Sequence, residues 1–474
     1  MSTTPQALHE MSATDLVASY RAGTLSPVEV TEAVIAQVEH CEPHIHAFYR
    51  FDPEGAREAA RASEARWRAG SPLERDGISI DGVPATLKEN IATRGTPSPI
   101  GTAATDPVPA AADAPPAARM REAGAVILGK TTMPEFGAMS SGLSSLHDLT
   151  RNPWNLAMNP GGSSAGAGAG GAAGYGPLHL GTDIGGSVRF PAAWCGLMGL
   201  KPSLGRVNID PPYMGRCAGP MTRTVEDAAL MMAVLSRPDP EGRDYRNLPP
   251  AAIDWMDLDM DLTGVRIGLQ LQPGCGMAVD PQVIPPVEAA AKLFEAAGAI
   301  VEPLDPWMTQ DLLAGLDTFW LARAAKDVAA LSEAQRAKVL PLFLEYAAPG
   351  ASLTGAQVFD AYSATVEIRR RTIAATKPFD FVLAPLSPHI SFPAEWGYPT
   401  NDPARGMEHI SYSVPFNMSE QPVSSLPCGY DTNGVPLGLQ IAAQRFDDMG
   451  ALRMARAYEG MRGAMRPFPT SFGG

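Results

Sequence analysis

Short apolar runs alternate with longer amphipathic stretches through most of this chain. The runs at 83–87 (VPATL), 125–128 (AVIL) and 178–180 (LHL) have the length of buried strands, and the stretch at 117–123 has helical spacing. Further strands are expected at 265–271, 299–303, 379–385, 423–427 and 437–442, with helices at 285–297 and 448–461. Strands separated by helices in this order predict an α/β fold, in which helices cover a sheet. The N-terminal stretch instead reads as helix-turn-helix. Ser12 with Asp15 looks like a capping box, and Ser26 is an N-cap followed by Pro27 at the first helical position and Glu29.

Two segments need separate treatment. The run NPGGSSAGAGAGGAAG at 159–174 has the low complexity of a linker, but it carries no charge and leads into an apolar strand. It predicts a tight turn followed by a buried, closely packed helix of small residues. The region 312–362 is helical and compositionally plain, and is read as an insertion over the sheet. With no repeat or flexible linker, a single domain over 1–474 is expected. It would have a helical N-terminal segment at about 1–75 and a helical insertion at about 305–375.

Composition excludes several function classes. The 474 residues are 45% apolar and 19% charged, which supplies ample core. A net charge of −14 argues against a nucleic-acid surface, which needs clustered Lys and Arg to displace counterions, and suits a small neutral or cationic substrate better. The start lacks the basic and uninterrupted apolar segments of a leader peptide, and no apolar run approaches bilayer length. A cytoplasmic protein without membrane association is expected. Five scattered cysteines without C-x-x-C spacing read as reduced packing residues.

Two motifs are decoys. GAVILGKT at 124–131 matches a phosphate-binding loop, but the residues between its glycines read as the strand itself, leaving no loop to cradle a phosphate. His40 and His44 have the i, i+4 spacing of metal ligands, but Pro43 between them should disturb that turn. No metal site is predicted.

The informative chemistry lies between 161 and 189. A strand ending at Thr182-Asp183 runs into Ile184-Gly185-Gly186-Ser187, and a Gly-Gly pair before a serine can turn several N–H groups towards one point, as an oxyanion hole requires. An ordinary glycine turn closing a strand has the same sequence. Two further features weigh against that plainer reading: a second glycine-framed serine pair, Gly161-Gly162-Ser163-Ser164, and Lys88 at the end of an apolar strand. Attack on an amide needs a base for the nucleophile's proton and an acid for the leaving nitrogen, and a buried neutral lysine can serve as both through a bridging hydroxyl. An isolated Lys88 would also fit a solvated strand end.

These segments together resemble one family. GVPATLKEN at 82–90, GKTTMPEF at 129–136, TRNPWN at 150–155, PGGSSAG at 160–166, GTDIGGSVRFPAAWCGLMGLKPS at 181–203 and GPMTRTVEDA at 219–228 closely resemble the amidase signature family. FDFVLAP at 379–385, PFNMSEQPVSSLPCG at 415–429 and GVPLGLQIAAQRFDD at 434–448 look like its C-terminal blocks. The resemblance implies one large α/β/α body, a mixed sheet with helices on both faces. It also implies a Ser–cis-Ser–Lys triad at Ser187, Ser163 and Lys88, with the amides of Ile184, Gly185, Gly186 and Ser187 as oxyanion hole. Ser164, Thr182, Asp183 and Arg189 match supporting positions, and Gly137 matches a position lining the substrate pocket. No cofactor is implied, and a homodimer is allowed. Glu89 stands where many members have Asp, and Ala165 replaces a frequent glycine.

The implied activity is hydrolysis of a small carboxylic amide, anilide, carbamate or lactam. Phe319, Trp320, Phe343, Trp396, Tyr398 and Tyr412, in or near the insertion, favour a hydrophobic or aryl substrate. Three other readings stay open. They are the glutamine-hydrolysing subunit of a tRNA-dependent amidotransferase, a Ser-His-Asp hydrolase using His179 or His389, and a non-catalytic binding protein on the same scaffold.

Overall fold

The computed structural model describes residues 7–240, 248–249 and 251–472. Thirteen strands occur among them: β1 (Phe48–Phe51), β2 (Glu74–Arg75), β3 (Ile78–Ser79), β4 (Pro84–Lys88), β5 (Val126–Thr131), β6 (Leu178–Asp183), β7 (Met198–Lys201), β8 (Cys217–Thr222), β9 (Arg266–Leu269), β10 (Ile300–Pro303), β11 (Phe381–Pro385), β12 (Val423–Tyr430) and β13 (Pro436–Ala443). β2 and β3 form a small hairpin. The other eleven make one sheet in the order β1-β5-β4-β6-β8-β7-β12-β13-β11-β9-β10. β4 runs parallel to β5 and β6, and β9 parallel to β10 and β11, while the remaining neighbours are antiparallel. The sheet is mixed and flanked by helices, as expected.

Alternation along the strands separates two cores. Leu383, Leu439 and Ile441 join a large cluster that also holds the N-terminal helices, whereas Val382 and Ala442 join a second cluster. The second cluster contains Leu313 and Leu316 of the helix Gln310–Ala329, Phe343 of Pro341–Ala347 and Ile368 of Gly355–Thr376. These three helices therefore lie on this second face, the last of them running to Thr376.

Local signals fared unevenly. Ser26 forms the reciprocal capping box with Glu29, but Ser12 only accepts from the Asp15 amide, and its hydroxyl donates to the Asp15 carboxylate rather than receiving a return bond. Pro43 does not disturb its turn as expected. The helix Pro27–Ile45 continues through it and ends at His46 in the left-handed conformation. Gly129 lies within β5, where a Cβ would come 2.1 Å from the Arg50 carbonyl, and Val126–Thr131 of the GAVILGKT segment is strand. The Gly/Ala run forms the helix Ala165–Ala173, buried at every position. Gly166 is required there, since a Cβ would stand 2.1 Å from the Ala47 carbonyl oxygen and 2.5 Å from the Thr132 nitrogen. That close approach packs the start of this helix, next to the Ser163 turn, against Ala47 before β1 and Thr132 after β5.

Candidate active site

Lys88 is the last residue of β4 and Thr182 the penultimate residue of β6, its parallel neighbour. The carboxyl ends of parallel strands are where α/β sheets place their ligands, and three predicted residues meet here. Lys88 Nζ donates to Thr182 Oγ1 at 3.1 Å and lies in hydrogen-bond contact with Ser163 Oγ at 2.8 Å. The Gly162–Ser163 peptide is cis. Asn90, which the sequence did not single out, donates to Thr182 Oγ1 from the other side at 3.1 Å.

The Lys88 side chain is fully buried, and its pKa is held well below the usual lysine value. Burial is the main cause and the Arg216 charge adds to it, while Asp183 and Glu89 oppose. A lysine in this setting sheds its proton readily and can act as a base towards Ser163. Glu89 turns away from it: one carboxylate oxygen accepts from the Gly101 amide at 2.6 Å, and burial raises its pKa to about 7.

The turn after β6 is tied down from the inside. Asp183 accepts from the amides of Gly186 (2.9 Å), Val188 (3.2 Å) and Arg189 (3.4 Å), from the Arg189 guanidinium at two positions of 3.0 Å, and from Asn417 at 2.9 Å. Burial alone would raise the Asp183 pKa, but the Arg189 charge and these bonds overrule it and hold the carboxyl ionised. Gly186 takes a φ of +127°, and a Cβ there would lie 2.3 Å from the Phe190 ring. Ser164 ties the two serine turns together, its amide donating to the Ser187 carbonyl at 3.2 Å and its hydroxyl to the Thr182 carbonyl at 3.3 Å.

This arrangement corrects one expectation. The Gly186 amide, expected in an oxyanion hole, is already committed to Asp183, because the carboxylate needs it to close the loop. The amides of Ile184, Gly185 and Ser187 carry no such bond among the described residues.

Ser187 and Ile184 border a cleft also lined by Gly137, Phe136, Met139, Trp320, Arg323 and Phe343. Gly137 has a φ of +66°, and a Cβ there would sit 3.7 Å from Ser163 Oγ, so a side chain would fill the space beside that hydroxyl. Of the six aromatics considered from sequence, Trp320 and Phe343 reach the cleft. Tyr398 and Tyr412 are fully buried, and Phe319 packs on Tyr362. Phe136, which stacks on Phe343 with ring centres 4.7 Å apart, was missed because a lone Phe in a loop carries no periodic signal.

The two histidines considered as alternative bases are placed elsewhere. His179 sits on β6 four residues before Asp183, about 13 Å along the strand, with one ring nitrogen on Thr86 Oγ1 (2.8 Å) and the other on the Gly176 carbonyl (2.9 Å). His389 packs edge-on against Trp194 and Phe392 with one nitrogen on the Ile390 carbonyl. Burial lowers both pKa values to about 4. Among the described residues no group of His, Cys, Asp or Glu could hold a metal ion, all five cysteines are free, and no helix is long and apolar enough to cross a membrane.

The amidase family model matches residues 29–452. The chain belongs to the amidase family. As an amidase-signature enzyme it is a hydrolase acting on carbon–nitrogen bonds other than peptide bonds. It is 33% identical to a glutamyl-tRNA(Gln) amidotransferase subunit of Myxococcus xanthus, over 95% of this chain and 97% of that protein. It is also 33% identical to an acylamidase of Rhodococcus erythropolis, over 97% of each. A solved bacterial aryl acylamidase of the amidase signature family superposes with a TM-score of 0.87 at 28% identity, covering 99% of this amidase and all of that chain.

Proposed function

We propose that this amidase cleaves a small carboxylic amide, or a related anilide, carbamate or lactam, through an acyl-enzyme on Ser187. The observation that carries the reading is the buried Lys88 amine within hydrogen-bond reach of Ser163. Neutral Lys88 takes the Ser163 proton as Ser163 takes that of Ser187, and Ser187 Oγ adds to the amide carbon. The carbonyl oxygen becomes an oxyanion facing the amides of Ile184, Gly185 and Ser187, dipoles fixed before the reaction begins. The proton returns from Lys88 through Ser163 to the leaving nitrogen, the C–N bond breaks, and water repeats the sequence on the ester. No step calls on a cofactor.

Phe136, Met139, Trp320 and Phe343 along the cleft support an aryl or otherwise apolar group next to the scissile bond. The acylamidases among its relatives agree with that class. The proposal places the protein in the cytoplasm, as a single domain that forms a homodimer and acts on a small molecule without nucleic acid or membrane.

A panel of amides, anilides, carbamates and esters with wild type and Ser187→Ala tests it. Amide turnover that falls by roughly 10⁴-fold or more in the variant is expected, and turnover that survives would remove Ser187 from its role. The likeness to an amidotransferase component favours a second reading, glutamine hydrolysis for a partner. Glutaminase activity that appears only with added partner subunits would establish it instead.

A further inference from the structure

On the helix Gln310–Ala329, Trp320, Arg323, Ala324 and Asp327 all line the cleft. They occupy i, i+3, i+4 and i+7, one helical stripe, which is apolar in a helix that merely covers a core. Here it carries two charges. Arg323 lies over the Tyr213 ring, 4.6 Å from its centre, and its ion-pair contact is Asp327, 3.9 Å away. Arg followed by Asp one turn later is the weaker order for a helical ion pair. Both side chains remain partly exposed, 49% and 33%, so the pair leaves Arg323 free to exchange partners.

A second guanidinium stands close by. Cys217 pairs with Asp183 in the ladder between β8 and β6, which puts Arg216 beside Ile184 at the start of the Ser187 turn. Arg216 donates to the Pro211 carbonyl at 2.8 Å and has no ion-pair partner among the described residues. Burial, followed by the charge of Arg323, lowers its pKa to about 10, with Asp210 opposing. Two mutually repelling guanidinium groups thus stand near the Ser187 turn, Arg323 lining the cleft together with Asp327 and Arg216 next to Ile184 without lining it. The overall charge of −14 does not set this local sign, because exposed charges farther off than about 10 Å are screened.

We propose that Arg323, backed by Arg216, receives a carboxylate on the substrate, so that the preferred substrates are amides with an apolar or aryl body and one anionic end. A planar guanidinium matches a carboxylate with two parallel hydrogen bonds, and Asp327 gives way to the incoming anion. This inference rests on the reading of Ser187 as an amidase nucleophile, and it replaces the neutral or cationic substrate suggested by overall charge.

The test compares kcat/KM for acetanilide, succinanilic acid (anion on the acyl side), 4-acetamidobenzoate (anion on the amine side) and β-alanyl anilide (cation). One of the two anionic amides is expected to exceed acetanilide about tenfold, the size of one such contact. That ratio should fall towards one in Arg323→Gln through a rise in KM, and in wild type as salt is raised. Taking the ratio within each preparation removes any loss from misfolding. A best rate on the neutral or cationic amide, or a ratio unchanged in Arg323→Gln, overturns the inference alone. Turnover of none of the four would remove the amidase reading, and this inference with it.

Discussion

All five N–H groups of Arg189 are committed to buried acceptors: two to Asp183 and one each to the Ser413 carbonyl, Gln440 and Asn417. Asp183 in turn holds three amides of the turn that presents Ser187. Removing the guanidinium leaves a fully buried carboxylate without its counter-charge. Arg189→Met is therefore expected to lose about 3–5 kcal/mol in urea unfolding, and a loss under about 1 kcal/mol would contradict that role. The meeting of Lys88 with Ser163 was legible in the sequence because a glycine-framed serine and an apolar approach to a lysine are compact motifs. Asn90, Arg216 and the bond from the Gly186 amide to Asp183 were not, because each depends on which segments the fold brings side by side.

At the scale of elements, apolar runs located β4, β5, β6 and β9 to β13, whereas β7 and β8 passed unnoticed. Pro220 in β8 argues against a strand on sight, yet it lies beyond the two residues, Met221 and Thr222, that pair with β7, so its missing N–H breaks no ladder there. β1 was also missed. The Gly/Ala helix was legible because an uncharged run of small residues has little use except close packing. Two glycine-to-alanine changes separate propensity from packing. Gly460, in the helix Asp448–Met461, has open space around a Cβ, and Gly460→Ala should stabilise by about 0.5–1 kcal/mol. Gly166→Ala has the same propensity gain but meets backbone atoms of Ala47 and Thr132, and should destabilise. Thermal unfolding of both variants reads the contrast, and a stabilised Gly166→Ala would mean that the start of its helix is not held by that approach.

Across the whole molecule, the net charge of −14 gives no sign that Arg323 lines the cleft, since position within the fold decides what a charge faces. Buried ionisable groups also give the chain a pH dependence that sequence does not carry. Burial raises Glu89 from 4.5 to about 7, so between those values the folded chain holds a proton that the unfolded chain has released. Its contribution is complete below 4.5 and is lost as pH rises through 7. Relative to wild type, Glu89→Gln should therefore gain stability as pH rises over that window, other groups cancelling in the difference. A pH-independent difference would contradict the assignment.

The most direct test of the account is the rate at which a fluorophosphonate labels the protein as a function of pH, with the modified residue located by peptide mass. Labelling confined to Ser187 is expected, rising with pH along an ionisation well below 10.5, where Lys88 loses its proton, and collapsing in Lys88→Ala. Labelling of another residue, or of Ser187 at an unaltered rate in Lys88→Ala, would contradict it.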